Sequence, residues 1–185
     1  MCKYPLALTE YAKMHAMNLH EQMRRNNAWL GNRQPKIFAG ADVERAAFGT
    51  IRNISEKDAL AHTTYDEALD WVKNHQPTLE ARPKIASDLR KMVAELSVDK
   101  KTPVKFFTAI GTALDIYYGI DAFIEQGSQI GTIDISMEVK ERIKADVLLL
   151  ARMDQEGRVT VSEEEMREVA ALIADKFDRL ARRAA

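Results

Sequence analysis

The sequence predicts an all-α fold, an irregular bundle of about seven to eight helices around a central apolar helix. Three observations carry that expectation. Apolar residues recur at helical spacing along most of the chain. Ser or Thr followed three residues later by Glu or Asp opens several of these stretches, as helix caps do. Only 8 Gly and 5 Pro interrupt 185 residues, few breakers for a many-stranded β fold.

The elements follow in order. Leu8, Ala12, Leu19, Met23 and Leu30 share one stripe, which places a first helix over 6–30, stopped at Gly31-Asn32. Val43, Ala47, Ile51 and Ile54 mark a second over about 41–54. Ser55 with Asp58 opens a short helical piece, and Thr64 with Glu67 caps a helix ending near His75, before Pro77. Pro83 suits the first turn of the next helix, whose apolar face is Ile85, Leu89, Met92, Val93 and Leu96.

A polar loop at Asp99-Lys100-Lys101 precedes the longest apolar stretch. That stretch reads as one helix over 103–126, because Phe106, Ile110, Ala113, Tyr117, Ile120 and Ile124 align at 100° per residue. After Gly131, Ser136 is placed as the cap of a helix reaching Met153, with Val139, Ile143, Val147 and Leu150 on its face. Ser162 and Glu165 cap the last helix, which carries Met166, Val169, Ala170, Ile173, Phe177 and Leu180. The whole is expected to be a single helical domain over 1–185, with a subdivision at 99–102.

Composition excludes several classes. One cysteine, Cys2, excludes an intrachain disulfide framework. The longest uncharged apolar stretch, 106–114, is far short of the ~20 residues of a membrane helix. The first eight residues hold no apolar run of a secretory leader, so a cytoplasmic setting and no membrane partner are expected. A net charge of −1 gives no global case for nucleic acid. The charge is uneven, however. Residues 1–110 hold 17 Lys/Arg against 13 Asp/Glu, and 111–185 hold 10 against 15.

The 103–126 segment carries the first candidate site. Thr108, Gly111, Thr112, Asp115 and Gly119 line up on its small and polar face. Glycine in a helix interior costs about 1 kcal/mol, so close approach of another body is implied there. Close helix packing, a groove for a ligand or partner, and an exposed face are the readings left open. Asp121 falls inside the apolar arc. A buried carboxylate there needs a partner, or its pKa rises, and it reads either as a satisfied helix-end acid or as a tuned acid in a cleft. A second candidate is a basic face of Arg24, Arg25, Lys84, Arg90 and Lys91 for nucleic-acid contact.

Residues 152–163 resemble an EF-hand calcium loop, with Gly157 at the turn, Val159 at the apolar position and Glu163 at the last ligand position. Arg152 stands where the first acidic ligand belongs, so a glycine turn followed by a capping box is the simpler reading. His15, His20, His62 and His75 have no metal-ligand spacing, and neither a phosphate loop nor a nucleophile elbow is present. No metal, no cofactor and no catalytic residue is therefore assigned. The leading expectation is a non-enzymatic interaction subunit that self-associates or docks with a protein partner. The alternatives are a nucleic-acid-associated protein using the basic face, and a small-molecule binder or enzyme using the 103–126 segment. An enzyme should join Asp115 or Asp121 to His15 or another base.

Overall fold

The computed structural model describes residues 40–52, 54–76 and 83–184. The predicted 6–30 helix, with Arg24, Arg25, Cys2, His15 and His20, lies outside them. The described residues are not all-α. They form six helices, a four-stranded mixed sheet and a two-stranded sheet, 46% helix and 19% strand. The helical-bundle expectation is thereby overturned.

The helices are α1 (Gly40–Phe48), α2 (Glu56–Ala59), α3 (Tyr65–Asn74), α4 (Lys84–Leu96), α5 (Ala113–Tyr118) and α6 (Glu163–Ala184). The strands are β1 (Val104–Thr108), β2 (Ala122–Gln126), β3 (Gln129–Ser136), β4 (Val147–Leu150), β5 (Arg152–Met153) and β6 (Val159–Thr160). The large sheet has order β1-β2-β3-β4. β1 and β2 pair antiparallel, as do β2 and β3, while β3 and β4 run parallel.

The helix caps work as their residue types dictate. Thr64 Oγ1 accepts the Glu67 N–H at 3.4 Å, and Ser55 Oγ accepts the Asp58 N–H at 3.1 Å. Ser162 Oγ accepts the Glu165 N–H at 3.2 Å, starting α6. The Glu165 carboxylate then accepts from the Leu150 N–H at 3.2 Å, tying that helix start to β4.

Both faces of the sheet are covered. On one, Val104, Phe106, Ala122, Ile124, Ile133, Ile135, Val147 and Leu149 pack with residues of α1, α4 and α6. On the other, Phe107 and Phe123 stack at 4.9 Å and pack with Leu69 and Val72 of α3 and Leu114 of α5. This α/β/α layering explains the misreading of 103–126. A strand buried on both faces shows an unbroken apolar run rather than alternation. β2 is buried at every position and β1 at all but one. The expected single helix is cut twice, at Gly111 (φ +76°) and at Gly119 (φ +61°), where the chain turns left-handed. The helix expected over 136–153 is likewise the end of β3, a connecting segment, then β4 and β5.

One helix, α6, comes close to the sheet where a side chain is missing. A Cβ at Gly131 of β3 would lie 2.8 Å from Ile173 Cγ2 of α6, so that position admits no side chain without movement of the helix residue. No helix among the described residues is long and apolar enough to cross a membrane.

Candidate metal centre

Three acids from separate parts of the chain meet at one end of the sheet. Glu44 comes from the middle of α1, Asp115 from the first turn of α5, and Asp121 from the residue leading into β2. One carboxylate oxygen of each lies within 4.8 Å of the others. The spacing suits a common hard cation after small side-chain rotations, since ligand oxygens sit at about 2.1 Å from Mg²⁺. With only carboxylate donors, the set suits Mg²⁺, Mn²⁺ or Ca²⁺ better than zinc.

Two of the three acids are held by backbone N–H groups. The Gly111 N–H donates to Asp115 Oδ2 at 2.8 Å, and the left-handed turn at Gly111 aims it. The Ile135 N–H of β3 donates to Asp121 Oδ2 at 2.7 Å. A fourth acid, Asp134 of β3, stands within hydrogen-bond reach of Asp121. Asp134 is 5% exposed and is held by Lys140, whose ammonium donates to its two oxygens at 2.6 and 2.8 Å.

The electrostatics are unfavourable for the chain alone. Asp121 is 4% exposed, and its carboxyl is pushed up to about 8. Burial is the main cause, the charges of Glu44 and Asp134 add to it, and the Ile135 N–H opposes it. Glu44 and Asp115 are also raised, both chiefly by burial; the Gly111 N–H opposes the rise at Asp115, neighbouring carboxylates add to it at both, and Lys140 and Arg45 give partial relief. Like charges gathered in a half-dry place are a recurring mark of a working site.

The residues selected from sequence fall into this picture unequally. Asp115 and Asp121 belong to the cluster. Gly111 supports Asp115. Thr112 is the buried N-cap residue of α5, its hydroxyl donating to the Ala109 carbonyl at 2.6 Å, and Gly119 is the C-cap of that helix. Thr108 ends β1. These five do not share a helix face, because no helix spans them.

Of the basic set, Arg24 and Arg25 lie outside the described residues, and Lys84, Arg90 and Lys91 all sit on α4. Lys84 is paired with Asp88, and the half-buried Arg90 turns its Nη1 toward the Val104 carbonyl at 3.5 Å. Lys91 is exposed on α4. In the loop that resembles an EF-hand, Asp154 Oδ1 accepts from the Glu156 and Arg158 N–H groups and Oδ2 from Arg158 Nε, each at 2.9 Å. Its oxygens are thus spent on its own turn, which carries the β5–β6 hairpin.

Sequence reasoning passed over Glu44, Asp134 and Lys140. For Asp134 a signal existed. Ile130, Thr132 and Asp134 alternate with Gly131, Ile133 and Ile135 at the strand period. Glu44 and Lys140 carry no local signal.

No protein-family description, curated protein or solved structure matches this chain.

Proposed function

We propose that the chain is a divalent-cation-dependent hydrolase of phosphate esters. The convergence of Glu44, Asp115 and Asp121, with Lys140 held beside them on Asp134, is the observation that carries this reading. Among the described residues, the cluster consists of carboxylates and an ammonium, with no Ser, Cys or His in it. Acyl transfer by covalent catalysis needs such a nucleophile. Phosphoryl transfer asks less covalent work of the protein, chiefly positioning and compensation of charge.

A bound Mg²⁺ or Mn²⁺ supplies Lewis acidity toward a phosphoryl oxygen and acidifies water. Glu44, Asp115 and Asp121 hold that cation. Asp134 orients Lys140, whose ammonium compensates negative charge developing on the phosphoryl oxygens. Among the described residues, an added Cβ at Gly111 meets nothing within 4 Å, which favours an approach beside Asp115.

The expectation of an interaction subunit rests mostly on the absence of catalytic motifs, with the apolar stretch 106–124 as one place for a partner-binding face. In the observed fold most of that stretch fills the two sheet faces. That expectation retains one observation in its favour: Val98 and Ile116 are 71% and 59% exposed.

The test is turnover of a generic phosphodiester, bis(p-nitrophenyl) phosphate, by the full chain with millimolar Mn²⁺ or Mg²⁺. Cation-dependent release of nitrophenol, abolished by EDTA, is expected. Lys140→Ala is expected to lower kcat by ~10²-fold, by loss of charge stabilisation, with little change in Mn²⁺ affinity. Equal rates with cation and with chelator would overturn the reading.

A further inference from the structure

We propose that Thr108 is the positioning residue of the cation site, acting through its hydroxyl at the junction of the elements that carry the three acids. This inference rests on the cation site proposed above. Glu44 rides on α1, which ends at Gly49 with φ +76°. The Thr108 hydroxyl donates to the Gly49 carbonyl at 2.9 Å, so β1 holds the end of the Glu44 helix directly. The Phe48 and Phe106 rings, 5.4 Å apart, pack α1 on β1 nearby.

Thr108 is itself clamped. The Gln76 side-chain amide donates to the Thr108 carbonyl at 2.7 Å and accepts from the Thr108 N–H at 3.1 Å. It thereby occupies the open edge of β1 as a neighbouring strand would. From this fixed point the next residues reach the other two acids. The Ala109 N–H donates to the Asp121 carbonyl at 2.8 Å, and the Gly111 N–H donates to the Asp115 carboxylate at 2.8 Å. Thr112 closes the turn onto the Ala109 carbonyl through both its N–H, at 3.0 Å, and its hydroxyl. Residues 108–112 therefore bond to the supports of Glu44 and Asp121 and to Asp115 itself. Of these links, the one to the Glu44 helix is made by a side chain of the 108–112 segment itself, so a substitution in that segment can remove it without touching an acid.

Partners that orient metal ligands typically influence affinity by 10–100-fold. Thr108→Val keeps the shape and removes the hydroxyl. It is expected to weaken Mn²⁺ binding, measured by calorimetry on the full chain, by about tenfold, while Thr108→Ser stays within about twofold of the parent. Ser97→Ala serves as the control. It removes another buried hydroxyl, which bonds to the Val93 carbonyl at the end of α4, and it should lower Tm without changing Mn²⁺ affinity. If Thr108→Val does not fold, Gln76→Met loosens the same point from the other side and should weaken Mn²⁺ binding in the same direction. Equal affinity in the parent and in whichever of these variants folds, or equal weakening in Ser97→Ala, would overturn the positioning role. Absence of Mn²⁺ binding to the parent chain would overturn the cation site itself, and this inference with it.

Discussion

Asp121→Asn is expected to cut cation-dependent turnover by roughly 10³-fold and to weaken Mn²⁺ binding below calorimetric detection. Asp121 is the most buried of the three acids and feels both Glu44 and Asp134. Its loss removes a charged ligand from a hard-cation site, where Lewis-acid stabilisation is worth several kcal/mol and each 1.4 kcal/mol is about tenfold in rate. The amide oxygen of Asn still accepts from the Ile135 N–H, so the fold around β2 and β3 should persist. Steady-state kinetics with parallel Mn²⁺ calorimetry checks both parts. Retention of turnover within about tenfold of the parent would mean that Asp121 is not a ligand.

The same substitution should act on stability in the opposite sense. The folded pKa of Asp121, about 8, lies above its ordinary value of 3.8. The folded chain therefore keeps a proton that the unfolded chain releases. Below about pH 4 both states are protonated, and the acid makes no difference. From there to about pH 8, the stability of the cation-free chain falls as pH rises. The slope approaches ~1.4 kcal/mol per pH unit for one group, and the fall ends above about pH 8. Glu44 and Asp115, also raised, push in the same direction. Denaturant unfolding of the cation-free chain should thus show a loss of roughly 2–4 kcal/mol between about pH 5 and pH 8. Asp121→Asn should remove much of that loss, and millimolar Mn²⁺ should restore stability to the parent at the upper pH by binding the folded state. A flat profile in the parent would show that the cluster is not under charge strain. Mn²⁺ affinity should itself rise with pH up to about 8, because the ligand must give up its proton.

The legible parts of this fold were those with local signals. The Thr64–Glu67 and Ser162–Glu165 caps each open a helix in the structure, and the stripes of Leu89 with Val93 and of Ile173 with Phe177 face the core. The sheet was not legible, for a physical reason. Phe106, Ile110, Ala113 and Ile124 align at helical spacing but belong to β1, a turn, α5 and β2. Burial on both faces erased the alternation that identifies a strand, leaving Gly111 and Gly119 as the marks of a broken path. β3 keeps an alternation in its sequence, and its Gly131 is a point where α6 touches it.

The site divides in the same way. Asp115 and Asp121 stood out as acids in an apolar segment, because a carboxylate there demands a partner. Their partner Glu44 lies in a helix packed on the opposite face of the sheet, brought to them by tertiary structure alone. Lys140 reaches Asp134 from a connecting segment that had been read as helix, which hid it.

The most direct measurement is anomalous diffraction from a crystal of the full chain grown with Mn²⁺ at about pH 8. The account predicts one Mn²⁺ peak ligated by oxygens of Glu44, Asp115 and Asp121. With Mn²⁺ at millimolar excess, a map with no peak between these carboxylates, or with Mn²⁺ bound elsewhere, would contradict it.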